Sequence, residues 1–340
     1  MSLAEFDLIA RYFSDTFPKR TDVILGVGDD AALCQVPAGM QLATAIDTLV
    51  EGVHFPHKTR PHDIGYKALA VNLSDMAAMG ATPAWMTLAL TCPKTDEAWL
   101  KGFAQGLREL AEKHQVSLIG GDTTYGPALT ITIQISGFVP PEQALLRGGA
   151  KPGDGIYVTG TLGDAGLGLA SVQKEEGIVL PIPIQHYVES RLNRPTPRLH
   201  EGQALRGIAS SAIDISDGLA ADLGHILKAS AVGASLQLEK LPLSQALRQH
   251  LSCKSAWHLA LNAGDDYELC FTVPPNRETA LRNALTTHSY TRIGTIETIS
   301  GLRCLDANGQ LLTLKMKGYQ HFDVLSPFLF KERVACERLC

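Results

Sequence analysis

Between Ile64 and Met79 almost every position is small or apolar, so the segment has no broad polar face. Pro61, His62 and Asp63 open it, Gly80 supplies a C-terminal cap and Pro83 forbids continuation, so the pattern predicts a largely buried helix. Asp75 is set into that run, with Asn72 one turn earlier on the same side. An isolated buried carboxylate is costly, so something cationic must sit beside it. Lys67, an arginine from elsewhere or a metal ion would each serve.

Other segments alternate in a legible way. Residues 3–13 read as a short amphipathic helix, and Val23 to Ala32 as a strand running into Gly26, Gly28, Asp29 and Asp30. Gln41 to Ile46 reads as a strand ending on Asp47, and Trp85 to Thr91 as another. Thr95 is placed to cap a helix carrying Leu100, Phe103, Leu107 and Leu110 at helical spacing. Val116 to Ile119 gives a short strand ending in Gly120, Gly121 and Asp122, and Leu129 to Val139 alternates with period two. Pro140, Pro141 and the glycines after Arg147 suggest a join between two domains near residue 145. Beyond it, Gly155 to Thr159 is a strand followed by the turn Gly160–Gly166, whose free N–H groups could hold a phosphate or which could equally be a packing turn. The segment Ala212 to Leu219 reads as a strand ending in two aspartates, Asp214 and Asp217, and starting a helix, and Asp265 and Asp266 lie in the segment that follows further on.

With 340 residues the chain is long enough for two cores. A net charge of -5 argues against a nucleic-acid partner, which needs clustered Lys and Arg. The N-terminus lacks a secretory signal pattern, and the longest apolar candidate for a membrane span is broken by Pro83, so neither export nor a membrane is expected. The 7 cysteines are scattered without a CxxC pair, which fits a reducing cytoplasm rather than a disulfide framework or a thiolate zinc site.

Six acidic islands share one design, with aspartate at the end of an apolar segment beside a small residue: Asp29 with Asp30, Asp47, Asp75, Asp122, Asp214 with Asp217, and Asp265 with Asp266. One such aspartate is commonly a turn former or a helix cap. If several converge, their repulsion must be offset, and a hard divalent cation with oxygen ligands does this without basic side chains. No His or Cys is interleaved, so magnesium or manganese is favoured over zinc. Clustered carboxylates around magnesium point to phosphoryl chemistry, although no P-loop or protein-kinase motif set is present.

Gly26–Ala31, Asp47–Phe55, Lys67–Asp75, Leu118–Thr123, Asp214–Leu219 and Asp266–Leu269 together closely resemble the thiamine-monophosphate kinase family, within the superfamily typified by aminoimidazole ribonucleotide synthetase. The resemblance covers about residues 5 to 323. It implies an α/β (α+β) two-domain protein, with an N-terminal mixed-sheet domain (1–145) that dimerises through its sheet and a C-terminal α/β sandwich-like domain (146–325). Residues 326–340 form a polar tail with no assigned role. The implied activity is ATP-dependent phosphorylation of thiamine monophosphate to thiamine diphosphate by direct in-line transfer, in a cytoplasmic homodimer using several magnesium ions. Carried over by position, Asp30, Asp47, Asp75, Asp122, Asp214 and Asp217 would hold magnesium, with Asp75, Asp122 and Asp214 central to catalysis. Gly121, Asp122, Arg147 and Ser216 would contact ATP, and His54, Asp265 and Tyr319 would contact thiamine monophosphate.

The chain departs from the family pattern in three places within the resemblance. Ala45 and Ile46 stand where hydroxyl residues are usual, Asp265 stands where Glu is usual, and His114 replaces an aromatic near the nucleotide. Two alternatives follow: another ATP-using member of the superfamily, or a non-catalytic nucleotide-binding dimer disabled by these changes.

Overall fold

The computed structural model describes residues 10–14, 16–94, 96–314 and 318–319. The expected first helix falls mostly outside them; a single π-helical turn, Ala10–Ser14, is described. Thr95 and the 326–340 tail also lie outside the described residues.

A small antiparallel hairpin, β1 (Val23–Leu25) with β2 (Leu33–Cys34), precedes a four-stranded sheet. That sheet contains β3 (Gln41–Val50), β4 (Thr82–Cys92), β5 (Ser117–Tyr125) and β6 (Thr130–Val139) in the order β3-β6-β4-β5. Only the β4–β5 pair is parallel. Two of these strands outrun their sequence patterns, so Asp47 and Asp122 sit within strands rather than at their ends. Ladder hydrogen bonds to a neighbour carry a strand through polar residues that periodicity alone reads as a stop.

Helices α1 (Pro61–Ala78) and α2 (Glu97–His114) cover one face of this sheet. Proline at the first position of α1 suits a site whose N–H would be unsatisfied anyway, and Gly80, at φ +63°, ends it. α1 and α2 touch backbone to backbone: a β-carbon on Gly65 would lie 2.0 Å from the Phe103 carbonyl oxygen, and one on Gly106 1.7 Å from that of His62. Asp96 caps α2 by accepting the Trp99 N–H, and Leu100, Phe103, Leu107 and Leu110 are all buried as their spacing predicts.

The second sheet has seven strands: β7 (Gly155–Thr159), β8 (Ser211–Asp214), β9 (Gly233–Gln237), β10 (Leu269–Val273), β11 (Tyr290–Glu297), β12 (Gly301–Leu305) and β13 (Leu311–Leu312). Their order is β13-β12-β9-β11-β7-β10-β8, antiparallel except for β12 with β9. Around them run α3 (Asp164–Val172), α4 (Ile182–Asn193), α5 (Leu199–Ala204), α6 (Leu219–Ser230), α7 (Gln245–His250), α8 (Cys253–Asn262) and α9 (Glu278–Ala284).

α1 is buried because it is shared. Its Leu69, Leu73 and Met76 belong to one apolar cluster with Ile131 and Ile133 of the first sheet and with Ala212, Leu269 and Phe271 of the second. Among the described residues no helix is long and apolar enough to cross a membrane.

Candidate active site

Where α1 meets the end of β8, Ser74 donates to the Asp214 carboxylate at 2.7 Å in a buried contact. Asp75 is the next residue on α1. Burial first, then Asp214 and Asp47, push its carboxyl up to about 8, with Arg147 opposing. Burial likewise lifts Asp214 to about 6, against the Ser74 hydrogen bond and Arg147. Asp47, from β3, is held above the usual carboxylate range by burial and then by Asp217. Carboxylates from both sheets thus lie close together where the two layers meet, and Arg147 opposes their charge.

The loop between β8 and α6 is fixed from behind. Asp222, 2% exposed, accepts the Asp217 N–H at 3.0 Å, and burial lifts its own carboxyl to about 8. Ser216 accepts the Asp265 N–H at 2.9 Å, which places the loop between α8 and β10 alongside. Tyr319 joins there: its N–H donates to the Asp217 carbonyl, and burial with Asp217 and Asp265 raises its phenol. Lys67 does not pair with Asp75. Its ammonium lies 3.1 Å from Asp265 and donates to the His54 carbonyl, also at 3.1 Å. The His54 ring accepts the Val50 N–H at Nδ1, so a neutral ring carries its proton on Nε2.

Of the sequence candidates, the structure therefore gathers Asp47, Asp75, Arg147, Asp214, Ser216, Asp217, Asp265 and Tyr319, with His54 tied in through Lys67. It does not gather them all. Asp29 and Asp30 are exposed on the glycine loop after β1, and among the described residues no hydrogen bond or ion pair joins them to this group. Asp122 lies in the row Thr48–Thr132–Ala89–Asp122 across the first sheet, whereas Asp47 lies in the next row with Ile133, Leu88 and Gly121. Adjacent rows face opposite ways, so Asp122 is on the outer face and exposed. Gly121 packs so closely on β4 that an added β-carbon would lie 2.0 Å from the Leu88 carbonyl oxygen. His114, at the end of α2, is pushed down to about 4 by burial and stays neutral at ordinary pH.

Two motifs resolve as architecture. Asp266 is 1% exposed and accepts the Gly163 N–H at 2.7 Å, so the glycine-rich turn 160–166 is a packing turn. Glu268, fully buried, takes Arg198 at 2.6 and 2.7 Å, Arg191 at 2.8 Å and the Thr159 hydroxyl at 2.6 Å. Sequence reasoning missed Ser74, Asp222 and this arginine pair. Asp222 had a signal, since it lies five residues beyond Asp217 on the helix that the motif opens.

Among the described residues no three of the cleft carboxylates bring ligand oxygens within 4.8 Å of one another; His200, Glu201 and His288 do. Those two imidazoles stack at 4.4 Å and 12°, which sets their lone pairs parallel rather than convergent. The cleft donors are all oxygens in excess negative charge, which suits a hard cation that keeps part of its water shell.

A two-sheet fold with an acidic interlayer cleft matches known proteins along most of its length. The description "AIR synthase related protein, N-terminal domain" matches residues 28–139, and its C-terminal counterpart matches 151–303. The thiamine-monophosphate kinase of Escherichia coli K12 is 52% identical over 325 residues, covering 95% of this chain and 99% of that one. The one from Bacillus subtilis is 37% identical over 326 residues, covering 94% and 99%. Among solved structures, the thiamine-monophosphate kinase of Stenotrophomonas maltophilia K279a superposes with a TM-score of 0.83 at 46% identity, covering 92% and 99%. AaThiL complexed with AMPPCP and TMP superposes at 0.73 and 31%, covering 87% and 92%. The chain belongs to the AIR-synthase-related family of two-domain proteins. Within it the chain groups with the thiamine-monophosphate kinases.

Proposed function

We propose that the chain transfers the terminal phosphoryl group of ATP directly to the phosphate of thiamine monophosphate, releasing thiamine diphosphate and ADP. The observation that carries this reading is the meeting of Asp47 from β3, Asp75 from α1, Asp214 from β8 and Asp217 from the loop after it, where burial and mutual repulsion hold Asp47, Asp75 and Asp214 above their ordinary carboxylate range. The AaThiL complex with AMPPCP and TMP supports the pairing of an ATP analogue with the acceptor.

In this reading Asp30, Asp47, Asp75, Asp122, Asp214 and Asp217 hold several magnesium ions. Bound there, magnesium would supply the positive charge that lets two phosphate-bearing substrates approach. Arg147 supplies the guanidinium that faces Asp75 and Asp214, and with Gly121, Asp122 and Ser216 it binds ATP. His54 offers Nε2–H to thiamine monophosphate, and the Asp265 carboxylate and Tyr319 complete that end of the cleft. The acceptor phosphate is already anionic at neutral pH, so no residue need remove a proton and the catalytic role of Asp75, Asp122 and Asp214 is positioning.

The proposal includes a cytoplasmic homodimer built on the outer face of the first sheet. Leu42 and Ile46 support it: they stand 51% and 63% exposed on β3, alternating with Thr44 and Thr48 on that face. Asp122 lies on that same outer face, so its part in metal binding depends on the dimer.

The test is mass spectrometry of purified protein with ATP and thiamine monophosphate, with and without magnesium. Thiamine diphosphate formed only with magnesium, alongside ADP, is expected. ATP binding without product would refute the kinase reading and leave a nucleotide-binding dimer.

A further inference from the structure

Lys67 is 1% exposed in the middle of α1, among Tyr66, Ala68, Leu69 and Ala70, all of them buried. Packing does not explain its charge. A buried ammonium is expensive to desolvate, and an apolar residue of similar volume often serves stability as well or better. Its two partners come from different parts of the fold: His54 follows β3 of the first sheet, and Asp265 precedes β10 of the second.

The Asp265 loop is itself under strain. Asp265 at φ 68° and Tyr267 at φ 49° are both left-handed without being glycine, a conformation that persists only where its surroundings over-determine it. Backbone bonds to Ser216 and Ile215 hold the loop from one side, at 2.9 and 2.8 Å. Burial and then the charge of Asp265 hold the Tyr267 phenol well above its ordinary range, and Lys67 meets the Asp265 carboxylate at 3.1 Å. Asp265 therefore differs from its neighbours in kind: it is an acidic group of the cleft tied to a lysine, while Asp75 and Asp214 answer to Arg147.

We propose that Lys67 is a positioning residue that reserves Asp265 for the organic substrate and keeps it out of the neighbouring cation site. Paired with Lys67 at 3.1 Å, Asp265 would face a ligand bearing a delocalised cationic heterocycle and compete poorly for a compact divalent ion. Holding the His54 carbonyl on the same ammonium fixes the spacing between the two groups assigned to thiamine monophosphate. This inference rests on that assignment.

The experiment compares wild type with Lys67→Met and with Lys67→Gln, which keeps a donor without the charge. Two readouts are taken. The first is steady-state kinetics: in Lys67→Met the KM for thiamine monophosphate should rise by about tenfold or more while the KM for ATP stays within about twofold, with Lys67→Gln between. The second is amide hydrogen exchange without ligands: Gly264 to Tyr267 should exchange at least about tenfold faster, with β7 and β10 unchanged. Unchanged exchange together with an unchanged KM would overturn the proposal, as would failure of both variants to fold, which would make Lys67 a stability element. If wild type gives no thiamine diphosphate, the kinase reading fails, and faster exchange in Lys67→Met still supports the clamp.

Discussion

Replacing Asp75 by Asn should stabilise the cation-free protein while removing its turnover. In the folded chain the Asp75 carboxyl lies at about 8 and that of Asp214 at about 6, both pushed up first by burial, whereas the unfolded chain ionises them near 4. Between those values the folded state binds more protons than the unfolded one. Its stability is therefore full at acid pH and falls as pH rises through the folded values. One unit corresponds to about 1.4 kcal/mol, so ionising Asp75 in the empty cleft costs on the order of 5 kcal/mol at about pH 8. Neighbouring carboxylates share their protons, so the single substitution should recover about 2–4 kcal/mol of this. At roughly 2–4 °C per kcal/mol, the midpoint of Asp75→Asn should rise by about 4–16 °C at about pH 8 in a chelator and by almost nothing at about pH 3, below the unfolded value. Calorimetry of both proteins across that range checks it. With magnesium added, wild type should gain more than the variant if the proposed ion site uses the carboxylate that Asn lacks. A variant less stable than wild type at about pH 8 in chelator, or a difference that does not change with pH, would refute the reasoning.

Three further outcomes are expected. Glu268→Gln leaves Arg191 and Arg198 without their shared carboxylate, so thermal unfolding should reveal a loss of about 3–5 kcal/mol; a drop in the midpoint of less than about 3 °C would contradict it. Ser74→Ala removes the hydroxyl that Asp214 accepts, costing about 1–3 kcal/mol and raising the Asp214 pKa further, so the acid limb of the pH–rate profile should move to higher pH. In Gly121→Ala a β-carbon 2.0 Å from the Leu88 oxygen must part β4 from β5, and a loss of more than about 2 kcal/mol with a raised KM for ATP should follow.

Local pattern carried the elements whose burial is one-sided or continuous. The apolar run ending at Gly80 became α1, and the spacing of Leu100, Phe103, Leu107 and Leu110 became the buried stripe of α2. Strand ends were less legible: β3 and β5 run through Asp47 and Asp122 because partners across the sheet, absent from any local window, supply their hydrogen bonds. Acid placement followed the same divide. Residue type and spacing marked the islands, but which of them converge depends on face and layer, and that separated Asp47 and Asp75 from Asp122 and sent Asp266 to the Gly163 N–H.

By itself the sequence determined the inventory: a buried helix carrying Asp75, aspartate islands without interleaved His or Cys, two cores' worth of chain, and an ordered set of motifs shared with one family. Tertiary structure alone decided the pairings. Lys67 stands two turns, about 12 Å, before Asp75 on the same helix, out of pairing reach, and its ammonium meets Asp265 nearly two hundred residues on. The reason is physical: a buried charge takes whichever partner packing delivers within hydrogen-bond reach, and that choice is made by the layers around it rather than by proximity along the chain.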